Sequence, residues 1–184
     1  MKHLAIGSLV GGLILFIWQF LAWGGPLGLH YSKMAYNPQQ DAILAALDTI
    51  GVEPGSYFLP TVAKGTSMED AAKMMEEKGG QPWALLEYHP SLENNMIPNM
   101  IRGLVLDILL VFVLSWVLMK IPGLDMQTVL LTSLAIGFIG YGSITYLNSI
   151  WFEANTWPDV LDTVVSWGLT GAWLGFWLPR ATKA

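Results

Sequence analysis

Four runs of apolar residues, at 4–23, 101–119, 126–147 and 160–178, dominate the hydropathy pattern of this 184-residue chain. Each holds about 20 residues, and at ~1.5 Å of rise per helical residue that covers the ~30 Å of hydrocarbon in a bilayer. The pattern therefore predicts a membrane all-α fold: a four-transmembrane-helix bundle, with residues 24–100 as a small α/β extracytoplasmic cap between the first and second helices. Lys2 ahead of the first run and Ala22-Trp23-Gly24 at its end loosely fit a secretory signal and its cleavage site. The run is longer than the usual signal core and ends in an interface-type aromatic, so it is read as a retained anchor.

Between runs one and two the pattern changes period. Asn37-Pro38 reads as a helix start, followed by Ile43, Leu44, Leu47 and Ile50 at helical spacing up to Gly51. A turn at 52–55 leads to an extended, aromatic-rich stretch at 56–60. Ser67 and Asp70 form a capping box for a second helix that stops at Lys78-Gly79-Gly80. Residues 83–88 read as a second strand, so 56–88 is expected to be a strand-helix-strand unit. Seventy-odd residues with two strands make a marginal core, so this cap is expected to lean on other protein.

Positive residues near the run ends set the orientation. Lys2, Lys120, Arg180 and Lys183 all fall on one side if four helices cross, and Arg102 is the only basic residue close to a run end on the other. The positive-inside bias then places both termini in the cytoplasm and 24–100 outside, in the periplasm of a bacterial inner (plasma) membrane. Composition agrees: 53% of residues are hydrophobic, 12% are charged, and nine are Trp. Trp23, Trp151 and Trp157 fall at the outer boundary and Trp116 and Trp177 at the inner one, as an aromatic belt would. Trp18, Trp167 and Trp173 lie deeper, where each indole N–H needs an acceptor across a helix contact.

A net charge of −5 with no basic stripe leaves nothing to neutralise phosphates, which argues against nucleic acid as a partner. The absence of Cys removes thiolate chemistry and thiolate-bound clusters. His30 and His89 have no second ligand at useful spacing and read as ordinary surface or interfacial histidines, so no metal or other cofactor is expected. Glu69 and Lys73, four apart, read as a solvated helix face.

Small residues mark the packing faces. Gly7 and Gly11 lie one turn apart in run one, Ser133 and Gly137 in run three, and Gly171 and Gly175 in run four, each removing bulk so that helices approach closely. Polar residues concentrate in the other half of the depth scale: Gln19 in run one, Asp107 in run two, Tyr141, Ser143 and Thr145 in run three, and Asp162, Thr163 and Ser166 in run four. A carboxylate at the depth of Asp107 must face protein or water. These groups either line an outward-facing pocket or satisfy one another, and no catalytic set can be assigned among them. The expected function is that of a small accessory or structural membrane protein. It would pack in or assist assembly of a larger complex, contacting the lipid bilayer and other membrane-protein subunits and docking through its outer domain. The alternatives are a protein that binds or transports an apolar or amphiphilic ligand such as a lipid or quinone, and a membrane enzyme that uses an intramembrane Asp.

Overall fold

The computed structural model describes residues 2–181, which are mostly helical and divide into two compact units. One unit comprises the chain up to Ala35 and from Asn95 onward; the other is Tyr36–Asn94.

The first unit contains α1 (Lys2–Gln19), α4 (Met96–Leu118), α5 (Met126–Gly140), α6 (Leu147–Phe152) and α7 (Trp157–Ala181). π-helical stretches at Phe20–Gly24 and Tyr141–Tyr146 extend α1 and join α5 to α6. Three continuous helices, Lys2–Gly24, Met96–Leu118 and Met126–Phe152, are long and apolar enough to cross a membrane. The fourth apolar run lies in α7, which is long enough at 25 residues but carries Asp159, Asp162 and many Gly, Ser, Thr and Trp, and is less apolar than the other three. Apolarity alone therefore marks three helices rather than the expected four.

Burial in this unit is inverted relative to a water-soluble bundle. Ile17, Val105, Leu109, Phe138 and Ile139 are all at least half exposed, while Ser8, Asp107, Ser115, Ser133 and Thr170 are buried. An outward apolar surface of this extent fits a lipid solvent. The helices pack as a row: α4 against α1, α1 against α7, and α7 against α5. Glycine sets the spacing. A Cβ on Gly12 would stand 2.6 Å from Ile108 Cα, and one on Gly171 would stand 2.8 Å from Ser133 Cβ, so neither contact tolerates a side chain in this geometry. Gly7 and Gly11 admit the edges of Trp177 and Trp173 from α7, Gly137 admits Trp167, and Gly175 admits Met126. All six residues read as packing positions thus lie at helix contacts. Leu118, Leu124, Leu174 and Leu178 close one end of the unit as an apolar core.

At the start of α5, Asp125 caps the helix by accepting from the Thr128 N–H at 2.7 Å. That hydrogen bond holds its carboxyl below the usual aspartate range.

The second unit contains α2 (Gln40–Thr49), β1 (Gly55–Leu59), α3 (Met68–Glu77) and β2 (Ala84–Tyr88). β1 and β2 pair antiparallel, with Gly55 opposite Tyr88 and Leu59 opposite Ala84. Ser67 caps α3 as expected, its hydroxyl accepting from the Asp70 N–H at 3.1 Å. α2 starts two residues later than Asn37-Pro38 suggests: Asn37 Oδ1 takes the Gln39 N–H at 2.8 Å, and this side-chain turn holds 37–39 out of the helix. Among the described residues of this unit only Tyr88 is buried.

Candidate functional site

Polar chemistry in the first unit collects where α1 ends and α7 begins. α1 delivers Trp18 and Gln19, and the π-helical turn after it delivers Trp23. A π turn widens the helix by one residue and is frequent at functional positions. Gly28, at a φ of 55° that disfavours a side chain, then turns the chain back so that the Leu29 N–H reaches the Ala22 carbonyl at 3.1 Å. This return places His30 and the short 3-10 turn Tyr31–Lys33 against the first turns of α7.

His30 is fully buried. Its ring stacks on Trp23, with centroids 4.0 Å apart and planes 7° from parallel. Nε2 lies 3.3 Å from Asp162 Oδ2 and Nδ1 lies 3.9 Å from Asp159 Oδ1, so one imidazole stands between two carboxylates without forming a well-aligned hydrogen bond to either. Asp162 also accepts from the Trp18 indole N–H. Asp159 is held by Lys33, whose Nζ is 2.6 Å from both carboxylate oxygens. Two acids of α7 and a histidine and a lysine of the 28–33 segment thereby form a closed electrostatic set, with the indoles of Trp18 and Trp23 at its sides.

The residues singled out from sequence separate into three groups. Asp162 belongs to the histidine set. Asp107 is buried on α4 and takes a hydrogen bond from Gln19 Nε2 at 3.1 Å, while its second oxygen has no hydrogen-bond partner among the described residues. Tyr141 bonds Thr156 through their hydroxyls at 2.9 Å and, with Thr145 and Thr163, lines a separate groove. Ser143 and Ser166 turn onto backbone carbonyls of their own helices, Ile139 and Thr163 respectively, and face no shared site. The polar residues thus do not converge on one pocket.

The reading of His30 as a surface or interfacial side chain is corrected here, because the chain reversal at Gly28 carries it into the interior. Lys33, Asp159 and Trp23 were also absent from the sequence-derived set. Their one visible signal is the spacing of Asp159 and Asp162, three apart and hence on one helix face. Of the deep tryptophans, Trp18 finds the Asp162 carboxylate and Trp173 finds the Gly7 carbonyl at 3.0 Å, both across helix contacts as expected.

Chemically, the histidine set brings one imidazole, one ammonium group and two carboxylates together and contains no hydroxyl or thiol nucleophile. Among the described residues no three His, Cys, Asp or Glu side chains are arranged so that they could hold a metal ion. No protein-family model, curated protein or solved structure matches the chain.

Proposed function

We propose that the chain is a polytopic protein of a bacterial inner membrane that acts as an accessory or assembly subunit of a larger membrane complex. In this reading α7 is the fourth span, both termini are cytoplasmic, and the second unit is periplasmic and serves as the docking surface. The observation that carries the proposal is the surface of that unit. Ile43, Leu44, Ile50, Met68, Trp83 and Leu85 are all exposed, and Tyr88 alone is buried. Apolar exposure on that scale, in a unit facing water, marks a surface that another protein covers. The carboxylates of the membrane unit support the same reading. Asp107, Asp159 and Asp162 each contact a partner within the chain, as groups that fix helices together do.

Two measurements test this. Because the chain has no Cys, single cysteines at Lys64 and at Lys120 report sidedness directly. A membrane-impermeant thiol reagent added outside should label the first and spare the second, and equal labelling of both overturns the topology. The full-length tagged protein, extracted from native membranes in mild detergent, should bring down at least one stoichiometric membrane subunit. The Ile43→Glu/Trp83→Glu variant should lose that subunit while remaining folded. Recovery of the wild-type protein alone overturns the accessory role.

A further inference from the structure

α4 packs on α1, and α5 packs on α7, so the row of helices leaves a lateral groove between α4 and α5, of about 450 Å³. Leu110 and Val113 of α4 form one wall, Ile136 and Gly140 of α5 form the other, and Trp167 of α7 is part of the lining between them. Leu110, Val113 and Ile136 are exposed, so the groove opens sideways toward lipid rather than to water. One end carries the hydroxyls of Tyr141, Thr145 and Thr163; the opposite end, toward Val117, is apolar. Tyr141 and Thr145 lie on the π-helical stretch Tyr141–Tyr146, the kind of departure from α-geometry that helices retain at binding sites.

We propose that this groove is a binding site for a neutral, single-tailed amphiphile of the prenylquinone class, with its carbonyl-bearing ring at Thr145 and Thr163 and its tail running toward Val117. Three observations select that occupant. No Lys, Arg, His, Asp or Glu lines the groove, so a phosphate headgroup would find no counter-charge at this depth. At roughly 30 Å³ per water-sized group the volume holds about 15 such groups, enough for a ring and the first part of one tail but too few for a two-tailed phospholipid. The Tyr141 hydroxyl is engaged by Thr156, whereas those of Thr145 and Thr163 have no hydrogen-bond partner among the described residues, which leaves two donors suited to carbonyl oxygens. Ring placement toward the periplasmic side rests on the four-span orientation; the site itself does not.

The test uses full-length protein in phosphatidylcholine nanodiscs with decylubiquinone as the probe, reading quenching of tryptophan fluorescence. Saturable quenching is expected, along with a rise in thermal midpoint. Gly140→Leu projects into open space, since a Cβ there meets nothing within 4 Å, so it should fold normally while weakening binding by about tenfold or more. Thr163→Val should weaken it by about five- to tenfold through loss of one donor. Lysophosphatidylcholine, single-tailed but carrying a phosphate, should not compete. Absence of saturable quenching, equal affinity in Gly140→Leu, or full competition by lysophosphatidylcholine overturns the assignment. Cysteine labelling at Lys64 and Lys120 does not depend on the groove, so failure of the topology and failure of the site are separately visible.

Discussion

The close approach of α1 and α4 at Gly12 gives a sharp test of the helix row. A Cβ at this position would stand 2.6 Å from Ile108 Cα and 2.7 Å from Ile108 N. These are backbone atoms in the middle of a 23-residue helix, so relief requires moving α4 as a body rather than rotating a side chain. Forcing extra volume into a packed contact costs about 1–3 kcal/mol, and a contact that cannot yield belongs in the upper part of that range. Alanine also favours the helix over glycine by up to ~1 kcal/mol, which acts in the opposite direction. Gly12→Ala should therefore destabilise by about 1–2 kcal/mol net. Gly140 supplies the control: nothing lies within 4 Å of its Cβ position, so Gly140→Ala retains only the propensity gain and should be neutral or stabilising by up to ~1 kcal/mol. Reversible unfolding in mixed micelles, with SDS as denaturant and helicity as the signal, measures both. If the two substitutions shift the midpoint in the same direction and by the same amount, α1 and α4 do not meet at Gly12 and the packing order is wrong.

Further outcomes follow from the polar groups at His30, Asp162 and Asp125. His30→Ala empties a fully buried, ring-stacked position, and a loss of about 2–4 kcal/mol is expected in the same assay. Combined with Asp162→Asn it should show a coupling of about 0.5–3 kcal/mol, because the two side chains touch at 3.3 Å; strict additivity would show that the contact carries no energy. At Asp125 the folded carboxyl is held below the ordinary value of 3.8, so its contribution is fully present above that value and lost as pH falls through the lower folded pKa. Asp125→Ala should lower the thermal midpoint at neutral pH, whereas Asp125→Asn, which can still cap the helix, should keep most of that stability but lose this component of the acid dependence. An Asn variant with the wild-type acid profile would refute the assignment.

What the sequence made legible, and what it did not, divides along one physical line. Periodic and local signals carried through: three of the four expected apolar helices, the Ser67 cap, both strands, and the placement of the six small residues at helix contacts. Each depends on residues within a few positions of one another, or on what a single helix face can accept. The expected polar cluster depended instead on depth alone. Depth along a helix axis places Asp107, Tyr141 and Asp162 at a common level but gives no angle around each axis, and the angle decides which neighbours meet. With the helices in a row, α4 and α5 stand apart, so Asp107 pairs with Gln19 on α1 while Tyr141 turns to Thr156.

His30 shows the other kind of failure and its consequence. Nothing near it in sequence suggests burial, because its surroundings are assembled by a reversal at Gly28 and by a helix 130 residues farther along the chain. The same reversal gives Asp159 and Asp162 their partners, since Lys33 and His30 both arrive on it. Two carboxylates in the first turns of α7 would be expensive at a membrane boundary if unpaired. The sequence thus lowers the apolarity of α7 and, in the 28–33 segment far from it along the chain, supplies the partners of those carboxylates. Apolarity marks three helices because α7 carries these polar groups; in the four-span reading proposed above, the 25–33 segment and α1 cover the face that bears them.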